Sequence, residues 1–223
     1  PDGFITLAAA DRVILAPDNS GIIVQIDRNQ ASNSNEAGVE NTGTLDARRG
    51  HVRASAGDFY SMALNLEGTI IGESIEAEGG DGGVVRVAGT MDATGQTNAR
   101  SVGGGIEVTG EKVWLDNGAM LDARGANGGG TVLVGGDYQG KNPDVRNAWR
   151  THVSKGAEID ASATVSGSGG RIIIWSDDFT AYLGTLRANA AGSGHHGGFA
   201  EVSGKRVLGF RGEVSLRGSG YGR

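Results

Sequence analysis

The sequence predicts an all-β protein, a right-handed parallel β-helix with about three short strands in each coil. Three observations predict this fold: a glycine-bracketed strand pattern that recurs along the chain, a second pattern that alternates with it, and a nearly regular spacing between copies. Units of this length cannot bury a core alone and have to stack on one another. The fold class therefore follows from repetition.

The first pattern is a short strand set between glycines, and its clearest copy is Gly129–Gly136. In each clear copy the third and fifth residues after the first glycine are apolar, whereas the residue between them varies. An apolar period of two is typical of a half-buried strand, and the flanking glycines keep that strand short. Clear copies begin at Gly82, Gly103, Gly129, Gly169 and Gly197, and weaker copies begin at Asp2 and Arg49.

Stacked coils pair equivalent strands in register about 4.8 Å apart, so equivalent residues form columns along the rod. The constant apolar position should face inward and build a dry core, and the variable position should face solvent. We expect the inward column to contain Val85, Ile106, Val132, Ile172 and Ala200.

A second pattern precedes most copies of the first: an apolar residue, usually an acidic residue, and then alanine. A third apolar stretch often follows, as in 113–115 and 206–208, so one unit holds three strands. Glycines at 43, 89, 118, 156, 184 and 212 open the units, and the later steps are 29, 38, 28 and 28 residues. The second pattern occurs as Leu45-Asp46-Ala47, Ile75-Glu76-Ala77, Met91-Asp92-Ala93, Leu121-Asp122-Ala123, Ile159-Asp160-Ala161 and Leu186-Arg187-Ala188.

The repeats indicate a single solenoid over residues 1–217, followed by a glycine-rich tail at 218–223. We expect the apolar stretches within residues 3–26 to form the first coil. Two polar segments interrupt the pattern as excursions, one near 27–36 and a longer one at 137–150. Pro143 favours a short helical turn over 144–150.

Composition limits the function. A net charge of −6 disfavours nucleic acid as a partner, and the absence of cysteine excludes disulfides and cysteine-ligated metals. We find no apolar run long enough for a membrane-spanning helix and no signal-peptide pattern. Because Pro1 falls inside a copy of the first pattern, the chain is expected to be a piece of a longer or processed protein.

Four segments together resemble the haemagglutinin-type β-helix of two-partner-secretion exoproteins, the filamentous haemagglutinin and large adhesin family. They are 131–140 (TVLVGGDYQG), 156–163 (GAEIDASA), 174–177 (IWSD) and 197–205 (GGFAEVSGK). The resemblance implies export through an outer-membrane partner pore and a structural role at the bacterial cell surface or outside the cell. The Asn-Pro-Asn-Gly motifs of that family's secretion domain are absent, so this segment is expected to be shaft, with the export signal upstream.

Candidate sites are few, and no catalytic, cofactor or metal site is predicted. The column of acids in the second pattern could hold cations or could accept hydrogen bonds from turn amides. The excursion carries residue types enriched at binding surfaces. The surface-binding candidates are Tyr138, Lys141, Arg146, Trp149 and Arg150.

Trp149 has two readings: it could bind a ligand, or it could fold back over its own coil. The same two alternatives apply to Trp175. We predict a non-enzymatic shaft of an adhesin or filament, which associates end to end and carries a host or matrix glycan or protein ligand.

The alternative is a carbohydrate-binding or polysaccharide-active β-helix, with a cluster of outward charged residues as its site. A groove with three convergent acids and a basic residue would favour that alternative. The outward candidates are Arg86, Glu107, Arg171 and Glu201.

Overall fold

A computed structural model describes residues 3–9, 12–18, 21–27, 37–58, 60–94 and 101–219, with 12–18 and 21–27 described as backbone alone. Within these residues, three parallel seven-stranded sheets run the length of a rod. Each coil contributes one strand to each sheet in turn, which makes seven coils. The predicted parallel β-helix with about three strands per coil is therefore confirmed.

The first sheet takes the strand that opens each coil. Its pairs are in register, as between Ile106 and Val132 and between Val132 and Ile172. Strands are numbered in chain order. The first sheet contains β1 (Phe4–Ala9), β6 (His51–Ala56), β9 (Ser74–Gly79), β12 (Gly105–Thr109), β15 (Thr131–Val134), β18 (Arg171–Ile174) and β21 (Phe199–Val202).

The other two sheets take the second and third strand of each coil. The second sheet contains β4 (Val39–Asn41), β7 (Met62–Leu66), β10 (Val84–Val87), β13 (Lys112–Leu115), β16 (Arg150–Val153), β19 (Phe179–Tyr182) and β22 (Val207–Phe210). The third sheet contains β5 (Thr44–Asp46), β8 (Thr69–Ile71), β11 (Thr90–Asp92), β14 (Met120–Asp122), β17 (Glu158–Asp160), β20 (Thr185–Arg187) and β23 (Glu213–Ser215).

The core is a column of aliphatic side chains enclosed by the three sheets. Val85, Ile106, Val132 and Ile172 are at most 1% exposed, and residues of all three sheets join one buried cluster. Burying each such side chain contributes about 1.5–3 kcal/mol. The rod is therefore held together by packing between sheets as well as by the ladders between coils.

The expected membership of the inward column is wrong at one position. Val85 is buried, but it lies in the second sheet, where it pairs with Leu64 and Val113. Ile75 occupies the position beside Ile106 that was predicted for Val85. The glycine pair at 82–83 misleads because it opens a strand of the second sheet, whereas the other clear pairs open strands of the first.

The glycine pairs are required because successive coils approach closely where each turn enters the first sheet. A Cβ on Gly130 would lie 2.0 Å from the carbonyl oxygen of Gly104, and one on Gly170 would lie equally close to that of Gly130. A Cβ on Gly198 would lie 2.1 Å from the carbonyl oxygen of Gly170. A side chain at these positions would force the coils apart.

The expected first coil is also wrong. Strands β2 (Arg12–Asp18) and β3 (Gly21–Asp27) pair antiparallel as a hairpin outside the three main sheets. The first coil instead consists of β1, β4 and β5. The predicted excursion near 27–36 lies, beyond residue 27, outside the described residues, as do 220–223 of the tail.

Candidate functional site

Residues 137–149, called the excursion below, connect β15 to β16 and cover the outer face of the first sheet. Leu133 and Ile173 occupy outward positions of that sheet, yet both are at most 9% exposed. They form a second small core with Val145 of the excursion and Trp175. The excursion is therefore packed onto the rod through apolar contacts.

One end of the excursion is fixed by Asp137. Its carboxylate accepts hydrogen bonds from Tyr138 N at 2.6 Å, from Asn142 Nδ2 at 2.9 Å and from the Arg171 guanidinium. Burial by itself would raise the pKa of Asp137, but these hydrogen bonds lower it below its ordinary range. Gln139 N donates to Glu201 Oε2 at 3.0 Å, which ties this end to the seventh coil.

The other end is fixed by Arg146. Its guanidinium pairs with Asp81 and lies 3.6 Å from Glu111 Oε2. Asp81 belongs to the turn between β9 and β10, in the third coil. The excursion therefore spans the rod from the third coil to the seventh.

The structure separates the five predicted surface-binding residues. Tyr138 is 44% exposed, with its ring edge-on to Phe199 at 5.6 Å between centroids. Lys141 Nζ donates to Gln139 Oε1 at 2.6 Å, whereas Arg146 pairs with Asp81 and Glu111. Whether any of these residues binds a ligand stays a prediction.

Trp149 and Arg150 lie at the entry to the second sheet. Trp149 is 46% exposed and does not cover the coil, whereas Trp175 is 7% exposed and does. Arg150 already belongs to β16 and donates from Nε to Asp178 Oδ2 at 3.0 Å. The helical turn expected over 144–150 is absent, and a 3-10 turn forms at Tyr138–Gly140 instead.

The acidic column lies in the third sheet and accepts hydrogen bonds from turn amides, as one of the two readings predicted. Each of its aspartates accepts from the backbone N–H two residues later, at 2.9 to 3.1 Å. Glu76 was wrongly included, since it lies in the first sheet and Ile71 takes its place. The aspartates are Asp46, Asp92, Asp122 and Asp160.

The proposed outward cluster does not form as predicted. Arg86 lies on the second sheet, where it pairs with Asp116 and Glu67. Glu107 instead lies near Glu76 and Glu78 of β9, neither of which belongs to the predicted cluster. The sequence contains the signal for this pair, because assigning residues 75–77 to a strand of the first sheet places Glu76 next to Glu107.

A groove of about 480 Å³, called the groove below, lies between the first sheet and the excursion. Its charged lining comes from three neighbouring strands and from the excursion. The lining residues are Arg53, Glu76, Glu78, Glu107, Asp144 and Arg146, with Ala77, Thr109 and Pro143.

Within the groove, Arg53 is paired and Glu107 is not. Arg53 lies 2.7 Å from Glu78 Oε2 and 3.4 Å from Glu76 Oε2. Burial, and then the charges of Glu76 and Glu78, raise the pKa of Glu107 to about 7. Near neutral pH this carboxyl group is therefore present in both protonation states.

Within the part of the chain that the structure describes, no group of three or more histidine, aspartate or glutamate side chains is placed to hold a metal ion. His195 Nε2 lies 3.1 Å from Ser166 Oγ, in a hydrogen bond between two loops. None of the described helices is long and apolar enough to cross a membrane.

Comparisons with known proteins place the fold among solved structures. No family model matches the sequence, and no curated protein matches it. The structure is similar to the HMW1 secretion domain from Haemophilus influenzae, with a TM-score of 0.71 and 25% sequence identity. The similarity covers 96% of this chain and 57% of that chain. Along nearly its whole length, the chain therefore shares the coil architecture of a solved secretion domain.

Proposed function

We propose that the chain is the structural shaft of a secreted β-helix protein at the bacterial cell surface, exported by two-partner secretion. The observation that most supports a β-helix protein exported by two-partner secretion is the similarity to the HMW1 secretion domain over 96% of the chain. The resemblance of four sequence segments to the same class of exoproteins supports it independently. An adhesive role and a glycan or protein ligand are part of the proposal.

The mechanism of such a shaft is mechanical. Three in-register ladders hydrogen-bond each coil to its neighbours, and the continuous aliphatic core resists bending. Among the described residues, the strands of the three main sheets are paired with a neighbouring coil on both sides except in the first and seventh coils, which limits lateral aggregation through these sheets. A rod of this kind can project a binding segment away from the cell surface.

The position of this segment within its protein is also a proposal. The solved match is a secretion domain, whereas the absence of the Asn-Pro-Asn-Gly motifs favours a location in the shaft. Both kinds of segment use the same coils. The proposed shaft therefore rests on the missing motifs rather than on the fold.

Export can be tested in the bacterium that encodes the chain. We expect an antibody against the chain to label intact cells, and labelling to disappear when the gene of its outer-membrane transporter is deleted. A periplasmic marker, inaccessible in both strains, controls for membrane integrity. Unchanged labelling after the deletion would contradict two-partner secretion.

A carbohydrate-binding or polysaccharide-active protein is the second candidate. The observation that favours it is the groove, where Glu76, Glu78 and Glu107 converge with Arg53. A raised carboxyl pKa is also what a general acid needs near neutral pH. Release of reducing ends from a polysaccharide panel by the purified chain, lost in Glu107→Gln, would establish the enzyme; no release at high protein concentration would leave binding as the activity to measure.

A further inference from the structure

We propose that the groove binds an uncharged oligosaccharide and that Glu107 hydrogen-bonds one of its hydroxyl or ring oxygens. This proposal deepens the second candidate function by naming a site and a ligand class. It rests on that candidate and not on export, so it is tested on the purified chain.

The shape of the groove suits a few sugar units. Its volume of about 480 Å³ falls within the roughly 300–1,000 Å³ that is usual for small-molecule sites. Residues of the first sheet form the floor, and residues of the excursion between 143 and 146 form one wall. Because Arg146 is anchored to Asp81 and Glu111, that wall is held in place before any ligand arrives.

The charges of the groove disfavour an anionic ligand. Both of its arginines are already paired with carboxylates: Arg53 with Glu76 and Glu78, and Arg146 with Asp81 and Glu111. A sulfate or uronate group would therefore meet an excess of negative charge. Binding it would also cost the existing ion pairs.

Glu107 supplies the free hydrogen-bonding group. Its carboxyl group forms no hydrogen bond or ion pair with any described residue, and burial and its acidic neighbours raise its pKa. In its protonated form it donates one hydrogen bond and accepts others, as a sugar hydroxyl requires. The paired carboxylates and guanidiniums around it offer the fixed donors and acceptors that recognise neighbouring hydroxyls.

The charged groups that face Glu107 determine how binding depends on pH. Deprotonation above a pH of about 7 removes the donor and adds a negative charge next to Glu76 and Glu78. We therefore expect affinity to fall as the pH rises through 7. The facing groups are Glu76 and Glu78 from β9, Arg53 from β6, and Asp137, Asp144 and Arg146 from the excursion.

Calorimetric titration of the purified chain with defined oligosaccharides tests the proposal. Three probe classes are needed: uncharged gluco-, galacto- and manno-oligosaccharides, sulfated or uronate oligosaccharides, and glucosamine oligomers, with calcium chloride alone as a further probe. We expect binding in the uncharged class at pH 6. Glu107→Ala should weaken it about tenfold, the loss of one hydrogen bond in a desolvated site.

Two variants make the result specific. Glu107→Gln should keep most of the affinity and lose its pH dependence, because the amide donates at every pH. Arg187→Gln, on the third sheet, should bind like the parent chain, since Arg187 contacts Glu158 and lies on another face. Unchanged thermal unfolding of each variant shows that the fold is intact.

Several outcomes would overturn the proposal. They are tighter binding of the anionic or amino oligosaccharides or of calcium, full affinity in Glu107→Ala, and no heat with any uncharged oligosaccharide. None of these outcomes affects the labelling experiment on intact cells. Failure of the proposal for the groove can therefore be distinguished from failure of the proposal for export.

Discussion

Gly140 lies directly against the indole ring of Trp175, and a Cβ on Gly140 would come within 2.6 Å of Cε2 and Nε1 of that ring. Gly140 also has a φ of 61°, a left-handed backbone conformation that is unfavourable for any residue with a side chain. The glycine therefore serves two purposes at once. It turns the excursion back, and it lets Trp175 seal the small core on the outer face of the first sheet.

Replacing Gly140 with alanine should loosen the excursion without unfolding the rod. The clash with Trp175 and the backbone strain together predict a loss of about 1–3 kcal/mol. Limited proteolysis should cut within 137–149 faster than in the parent chain. Gly194→Ala is the matched control, because Gly194 has a φ of 80° but nothing within 4 Å of its would-be Cβ.

If Gly140→Ala and Gly194→Ala are cut equally fast, the contact with Trp175 contributes nothing and the excursion is not held as described.

Asp178 should make the chain sensitive to acid. Its side chain is 1% exposed and accepts hydrogen bonds from Arg150 and Arg206, which lie in neighbouring coils. Burial alone would raise the pKa of Asp178, but the two arginines lower it below its ordinary value of 3.8. An acid with a lowered folded-state pKa stabilises the fold above its unfolded pKa and loses that contribution as the pH falls.

Thermal unfolding between pH 7 and pH 2.5 tests the role of Asp178. Asp178→Asn should lower Tm at pH 7 and should reduce the loss of Tm on acidification. Asp46→Asn is the control, since asparagine can keep the turn hydrogen bond that Asp46 accepts from Arg48 N. Equal acid sensitivity of the parent chain and Asp178→Asn would contradict the prediction.

Glu107 should give stability a pH dependence opposite to that of Asp178. Its pKa is raised from 4.5 to about 7 in the fold, so the folded chain keeps a proton that the unfolded chain loses. Stability should therefore decrease as the pH rises from 4.5 to 7 and level off above that range. Glu107→Gln should remove this slope and raise Tm at pH 8 by roughly 2–4 °C, equivalent to about 1 kcal/mol.

Unfolding curves of the parent chain and Glu107→Gln at pH 5, 6, 7 and 8 provide the measurement. Parallel curves over this range would show that Glu107 ionises normally in the fold.

The exposed apolar residues of the seventh coil should promote end-to-end association. Val214 in β23 is 43% exposed, and the outer edges of β21, β22 and β23 have no neighbouring strand among the described residues. Unpaired edges with apolar side chains template pairing with a second chain. Val214→Lys should shift light scattering toward the monomer. Val165→Lys, at a 61% exposed loop position away from that edge, should not.

A clean monomer of the parent chain at high concentration would remove the basis for a filament built from this segment alone.

The repeating part of the fold could be predicted from the sequence because each coil repeats the same inward and outward alternation. Ile106, Val132 and Ile172 lie in one column, as the pattern indicates. Val85 does not, because a buried valine between glycines fits strands of the first and second sheets equally well. The pattern identifies burial, whereas the sheet depends on the lengths of the turns before it.

The docking of the excursion was harder to predict. Leu133 and Ile173 are apolar residues at outward positions of the first sheet, and apolar residues at outward positions indicate a covered face. What covers them depends on side-chain contacts such as those of Val145 and Trp175, and these have no period. The groove depends on the same docking, so its acids could not be brought together from spacing alone.

The excursion also affects how the rod would respond to a pulling force. Coils that are joined to their neighbours alone can peel away one after another, each step breaking three short ladders. The excursion is bound to Asp81 in the third coil and to Glu201 in the seventh, and these contacts have to break before the coils between them can separate one by one. Unfolding that starts at the seventh coil would therefore pause at the excursion, and the third to seventh coils would then unfold together.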